Sequence, residues 1–200
     1  MSMYIKMHFK HRYKKLNKFL DYKYFDPNSL SLIMINLALS NYKEKYVTII
    51  IDQTNRDDIQ IIMAGIPYKG RCIPLAWISF EYPLGLKYIS KNYLENLLIK
   101  WIQEIFPKDI LPLFIMNRGY ARVSIISALN ETNHPYIIRS QRNVFIEVVI
   151  NGRRKKMMIT RLRYKMGKVC LYKNVLCHSS KKEKVNIVVY NKPKQQKPYI

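Results

Sequence analysis

From Val47 to Ile51 every side chain except Thr48 is aliphatic, and the run breaks on Asp52. Leu111 to Met116 repeats the pattern and breaks on Asn117. Apolar runs of this length and strand type predict buried strands, and a small polar residue closing such a run is delivered to the rim of a sheet. The first strand is therefore expected over Tyr46 to Asp52 and the fourth over Leu111 to Met116. Between them, Ile59 to Pro67 and Arg71 to Phe80 read as the arms of a hairpin around Tyr68-Lys69-Gly70. Ser90 is placed to cap a helix running to about Phe106. There Tyr93, Leu94, Leu97, Leu98, Trp101, Ile102 and Ile105 predict one apolar face, and Pro107 helps to end it. A helix from about Arg122 to Asn130 and a strand from Pro135 to Arg139 complete the order β-β-β-α-β-α-β.

Both flanks differ in texture. His11 to Leu20 sets Tyr13, Leu16, Phe19 and Leu20 at helical spacing among basic residues, and Asp26-Pro27 supplies an N-cap and an N1 proline for a second helix to about Tyr42. After Arg142 come short β-type runs, at 144–150, 157–160, 169–172 and 185–190, separated by basic turns. The expected organisation is a helical N-terminal segment over 1–45, an α/β core over 46–142, a β-rich insertion over 143–191, and at 192–200 the start of a core segment cut short.

Charge narrows the partners. Thirty-five Lys and Arg stand against 13 Asp and Glu, a formal net charge of +22, which points to a polyanion, with nucleic acid ahead of an anionic membrane surface. The last third is the most one-sided: from Arg139 onward seventeen Lys and Arg face only Glu147 and Glu183, a net +15. Arg118, Arg139, Arg142, Arg153, Arg154, Lys155 and Lys156 are candidates for phosphate contacts that position a nucleic-acid backbone without reading sequence. The longest apolar stretch, Leu30 to Leu39, is interrupted by Ser31 and Asn36 and is too short to cross a bilayer of about 30 Å. No membrane partner is expected, and no secretory signal is legible, so the expected location is the cytoplasm, associated with the chromosome. Cys72, Cys170 and Cys177 read as reduced thiols, because Cys170, Cys177 and His178 lack a fourth ligand at zinc-site spacing.

The strings Ile51-Asp52-Gln53-Thr54, Tyr68-Lys69-Gly70-Arg71 through Ile73-Pro74-Leu75-Ala76-Trp77, Asn117-Arg118-Gly119-Tyr120 and Tyr136-Ile137-Ile138-Arg139 occur in the order and context of the catalytic domain of IS4-type transposases. The chain resembles that family of DDE-class, cut-and-paste enzymes from about His11 to its end. The resemblance implies an RNase H-like mixed sheet flanked by helices, with a basic β-rich insertion and a short helical N-terminal segment. It implies DNA strand cleavage and strand transfer at the ends of an insertion element, with double-stranded DNA and copies of itself or of a full-length transposase as partners. Such chemistry uses two divalent ions, Mg²⁺ or Mn²⁺, about 4 Å apart, held by carboxylates whose charge offsets the crowding of two dications. Asp52 stands at the first catalytic, metal-ligating position. Asn117 stands at the second, where the family has Asp, and one negative charge is lost there. The family's third carboxylate, a Glu on the helix after the β-insertion, has no counterpart in this chain, which is expected to be a truncated copy that stops at Ile200, just before that helix. Glu147, Glu183 and Asp57-Asp58 are the other acids weighed for that role, and each reads as a solvated or turn residue. The expectation is a transposase copy impaired in catalysis; the alternatives are a non-catalytic DNA-binding remnant that inhibits an intact relative, and a basic RNA-binding protein in which Asp52 and Asn117 do not meet.

Overall fold

In the computed structural model the described residues are Lys14, Lys18, 22–23, 26–81, 89–178 and 182–192. The amphipathic segment expected over His11 to Leu20 lies almost wholly outside them, as do residues 193–200. The described chain is α/β, with the elements α1 (Pro27–Leu39), β1 (Tyr46–Arg56), β2 (Ile59–Tyr68), β3 (Arg71–Glu81), α2 (Lys91–Ile105), β4 (Leu111–Met116), α3 (Val123–Glu131), β5 (Tyr136–Ile138), β6 (Phe145–Ile150), β7 (Arg153–Met158), β8 (Val169–Cys177) and β9 (Glu183–Tyr190). Short 3₁₀ turns occupy Arg118–Tyr120 and Ile159–Arg161.

Two sheets form. The first is mixed and five-stranded, in the order β3-β2-β1-β4-β5; β1, β2 and β3 pair antiparallel, and β4 and β5 run parallel to β1. Local chemistry explains its pieces. Asp26 caps α1 by accepting from the N–H groups of Asn28 and Ser29, and Ser90 caps α2 by accepting from Tyr93 N–H. Lys69 and Gly70 both adopt positive φ, 47° and 74°, in a two-residue loop whose twist suits a hairpin between β2 and β3. The core carries Val47, Ile49 and Ile51 of β1, Phe114 and Met116 of β4, and Leu98 and Ile102 of α2. Ile35 and Leu39 of α1 and Ile125 and Leu129 of α3 join the same cluster.

The second sheet is antiparallel and four-stranded, in the order β7-β6-β8-β9. It buries its own cluster of Val144, Ile146, Val148, Ile159, Val175, Cys177, Ile187 and Val189. Its burial alternates along β6 and β9, as a sheet with one covered face requires.

Several expectations need correction. The first strand does not stop at Asp52 but runs to Arg56, because its antiparallel pairing with β2 continues through Arg56↔Ile59 after the parallel pairing with β4 has ended at Ile51↔Met116. Arg153 to Lys156 form most of a strand rather than a basic turn, since each pairs with a residue of β6, while Ile159 and Thr160 leave the ladder for a 3₁₀ turn. The helix after Asp26 ends at Leu39, three residues early. On α2 the buried stripe is Leu94, Glu95, Leu98, Ile99 and Ile102, and Tyr93 and Leu97 are exposed, so the helix is rotated about its axis from the expected face. Among the described residues no helix is long and apolar enough to cross a membrane.

Candidate functional site

The parallel ladder between β1 and β4 ends at Ile51↔Met116, so the next residue on each strand, Asp52 and Asn117, emerges at the same place. Their side chains meet: Asn117 Nδ2 donates to Asp52 Oδ1 at 2.8 Å. The amide cannot turn over without loss. Its Oδ1 already accepts from Gly119 N–H at 2.8 Å, capping the 3₁₀ turn Arg118–Tyr120, and the flipped amide would set its NH₂ against that donor and its oxygen against a carboxylate. Asp52 and Asn117 are both exposed.

Beside this pair lies a cleft of about 300 Å³ whose lining includes Gln53, Gln60, Lys91, Glu95, Asn117 and Tyr120. Gln53 donates to Gln60 across the β1–β2 ladder. Glu95, in the second turn of α2, is 2% exposed and forms an ion pair with Arg122 at the N-terminus of α3; Lys91 Nζ lies 3.8 Å from its other oxygen. Burial pushes the Glu95 carboxyl above its ordinary range, against the opposing pull of Arg122 and then Lys91. Tyr120 is also buried, its hydroxyl has no hydrogen-bond partner among the described residues, and the Arg122 guanidinium lies 5.9 Å from its ring centre. Burial first, then the charges of Glu95 and Asp52, hold the Tyr120 phenol well above its usual pKa, so it stays a neutral donor across the physiological range.

Sequence reasoning missed Glu95, Tyr120 and Arg122. For Glu95 a signal was available: it shares the i, i+3, i+4, i+7 spacing of Leu98, Ile99 and Ile102, and a carboxylate on that stripe must be buried with a partner. The acids weighed by sequence are engaged elsewhere or exposed. Glu147 pairs with Lys182 at 2.9 Å, and Glu183 accepts from Asn130 Nδ2 at 3.0 Å. Asp57, at φ 52°, and Asp58 form the exposed β1–β2 turn.

As arranged, Asp52 and Asn117 do not fit a pair of dications. One Asp52 oxygen receives the Asn117 amide, the Asn117 oxygen is committed to Gly119, and the pair carries a single negative charge. Among the described residues no three His, Cys, Asp or Glu side chains group where a metal ion could be held, which includes Cys170, Cys177 and His178.

All seven basic candidates are exposed, but they fall into two sets. Arg118 follows Asn117 directly. Arg139 N–H donates to Met116 O, and Gln141 Nε2 donates to Arg118 O at 3.2 Å, which holds the segment bearing Arg139 and Arg142 beside Arg118. Arg153, Arg154, Lys155 and Lys156 lie instead on β7, the edge of the second sheet. Comparison with family models, with curated proteins and with solved structures finds no match to this chain.

Proposed function

We propose that this chain is an RNase H-like DNA-binding protein of the IS4 transposase type, impaired in metal-dependent strand cleavage and strand transfer by Asn at position 117. The observation that carries the reading is the 2.8 Å contact between Asp52 and Asn117 on adjacent parallel strands. These two positions, sixty-five residues apart, are the two that the family resemblance assigns to the catalytic pair, and such a pair must meet at one point. The strand order β3-β2-β1-β4-β5, antiparallel through β3 and parallel through β5, is the order expected of an RNase H-like sheet and supports the same reading.

The impairment follows from charge. Two carboxylates at 52 and 117 would repel each other and so call for cations between them, whereas an amide donates a hydrogen bond to Asp52 and satisfies it without metal. Arg118, Arg139 and Arg142 surround the strand ends with positive charge that suits the phosphates of a DNA backbone, and Arg153 to Lys156 extend that charge along β7. On this reading the protein associates with duplex DNA on the chromosome, through phosphates and with little dependence on sequence.

The experiment is nicking of a supercoiled plasmid in Mn²⁺ by the native chain, by Asn117→Asp and by Asp52→Ala, beside a titration of duplex binding against salt. The native chain is expected to bind DNA, with affinity falling steeply as salt rises, and to leave the plasmid intact. Robust cleavage by the native chain that disappears in Asp52→Ala overturns the impairment. Binding that does not weaken between low and moderate salt overturns the DNA reading.

A further inference from the structure

A cavity of about 570 Å³ runs between the two sheets, lined by residues that include Ile137 and Ile138 of β5 and Val185, Ile187, Val188 and Tyr190 of β9. Both strands are the last of their sheets, so each has one edge that pairs with no described strand. The ladders tell which backbone groups lie on those edges. Pro135 O accepts from Phe114 N–H and Arg139 N–H donates to Met116 O, so by alternation Tyr136 and Ile138 turn their N–H and C=O groups away from β4. On β9, Lys184 O reaches outward to Asn130 Nδ2 and Asn191 O reaches inward to Gly167 N–H. The outward set is therefore Lys184, Asn186, Val188 and Tyr190, and the last three line the cavity, as do Tyr136 and Ile138. Ile137 is 57% and Val188 50% exposed, which leaves apolar side chains standing beside unpaired ladder positions.

From this geometry we infer that the groove receives an extended acidic peptide segment of a partner protein, which adds to the outer edge of β9 as a further strand and alternates apolar side chains with carboxylates. Open edges give main-chain hydrogen bonds, and the apolar walls select the alternate side chains of the incoming strand. Charge selects the occupant. Among the described residues the lining holds no carboxylate; exposed Lys184 stands near the start of β9, after a Glu183 engaged by Asn130, and exposed Lys192 lies just past its end. A second copy of this chain would approach against a like charge of +22, whereas an acidic strand is drawn in. Edge lysines that deter pairing with a basic or neutral strand then serve as selectors for an acidic one.

The test uses a fluorescein-labelled octapeptide alternating valine and glutamate, read by anisotropy against the whole chain. Its controls are the same peptide with lysine for glutamate, the same peptide N-methylated at a central valine and the adjacent glutamate so that both strand edges are blocked, and the variant Val188→Pro, which removes an outward N–H and leaves the β8 ladder intact. The glutamate peptide is expected to bind, the lysine peptide to fail, and N-methylation and Val188→Pro each to weaken binding about tenfold or more. Far-UV circular dichroism checks that Val188→Pro is folded; if it is not, Ile137→Glu, which puts a repelling carboxylate on the groove wall without touching a ladder bond, replaces it with the same expected loss. The inference is overturned if the glutamate peptide does not bind, or if N-methylation leaves its binding unchanged, the mark of charge attraction without strand addition.

Discussion

In the five-stranded sheet, β1 and β4 lie side by side and parallel, so their ends coincide and two polar side chains arrive at one point; in the four-stranded sheet every pairing is antiparallel, so no two neighbouring strands end together. The first sheet concentrates its chemistry at Asp52 and Asn117, next to the buried Glu95–Arg122 pair. The second spreads its chemistry along an edge, as the row Arg153, Arg154, Lys155, Lys156. Burial differs on one face only, since Ile146, Val175 and Val189 of the second sheet are sealed as well. Ile49, Ile51 and Phe114 are sealed under helices, whereas Val149, Leu171 and Val188 of the second sheet stand 61%, 52% and 50% exposed. Parallel pairing thus sets a point-like site on a rigid base, and antiparallel pairing with one open face sets an extended, tolerant surface.

The largest expected effect tests the rigidity of that base. Phe114 is fully buried in β4, and Phe114→Ala is expected to cost about 3–5 kcal/mol in denaturant unfolding, from lost transfer energy and the cavity left behind. Val149→Ala on the open face of β6 is expected to stay within about 0.5 kcal/mol. Similar losses in the two variants would erase the contrast between the sheets.

Next comes the buried pair. Arg122→Ala leaves Glu95 charged and without its main partner, at an expected cost of about 3 kcal/mol near neutral pH. The pH dependence has a definite sign. Burial raises the Glu95 pKa in the folded chain, so its contribution to stability is full below the ordinary carboxylate pKa and is lost as pH rises through the raised value. Removing Arg122 takes away a pull that lowers this pKa, so the deficit of the variant should shrink at pH 4 and widen towards pH 7. Denaturant titrations at the two pH values check this, and Glu95→Gln should flatten the difference.

What the sequence discloses follows the same division between sheets. The parallel strands are legible because a brief aliphatic run closed by one polar side chain is too short for a helix and too apolar for a loop, and the hairpin is legible through Lys69-Gly70. Register is not legible from either strand alone, since it is the packing of Ile49 and Ile51 with Phe114 and Met116 that sets Asp52 against Asn117. Glu95 escapes notice because a carboxylate inside an amphipathic helix reads as surface until the rotation of α2 is known. β7 escapes notice because four consecutive cations have no intrinsic strand preference; pairing with Val148 and Ile150 makes them a strand, a case of tertiary context overriding propensity.

The basic surface separates the two sets of cations. Replacing Arg153, Arg154, Lys155 and Lys156 together by Ala is expected to weaken duplex binding about tenfold to a hundredfold at moderate salt and to reduce the slope of log affinity against log salt by about 3 to 4. Arg118→Ala should reduce that slope by about 1. If the single change equalled the quadruple one, DNA would be held at the strand ends, and the extended edge would carry no share of it.

The smallest effect bears on the pair itself. Asp52→Asn keeps an oxygen where Asn117 Nδ2 donates and loses only the charge-assisted part of an exposed hydrogen bond, so its cost in stability is expected to stay under about 1 kcal/mol. Its effect on DNA should be favourable. One negative charge beside Arg118 disappears, and since the Debye length is about 10 Å at 0.1 M salt, binding should tighten by no more than about twofold to threefold and lose the gain at high salt. A carboxylate that held a divalent ion against the backbone would behave oppositely, its loss weakening DNA binding in Mn²⁺ and leaving binding in chelator unchanged. Fluorescence titrations of Asp52→Asn in Mn²⁺ and in chelator therefore distinguish a metal ligand from a residue that Asn117 has already satisfied.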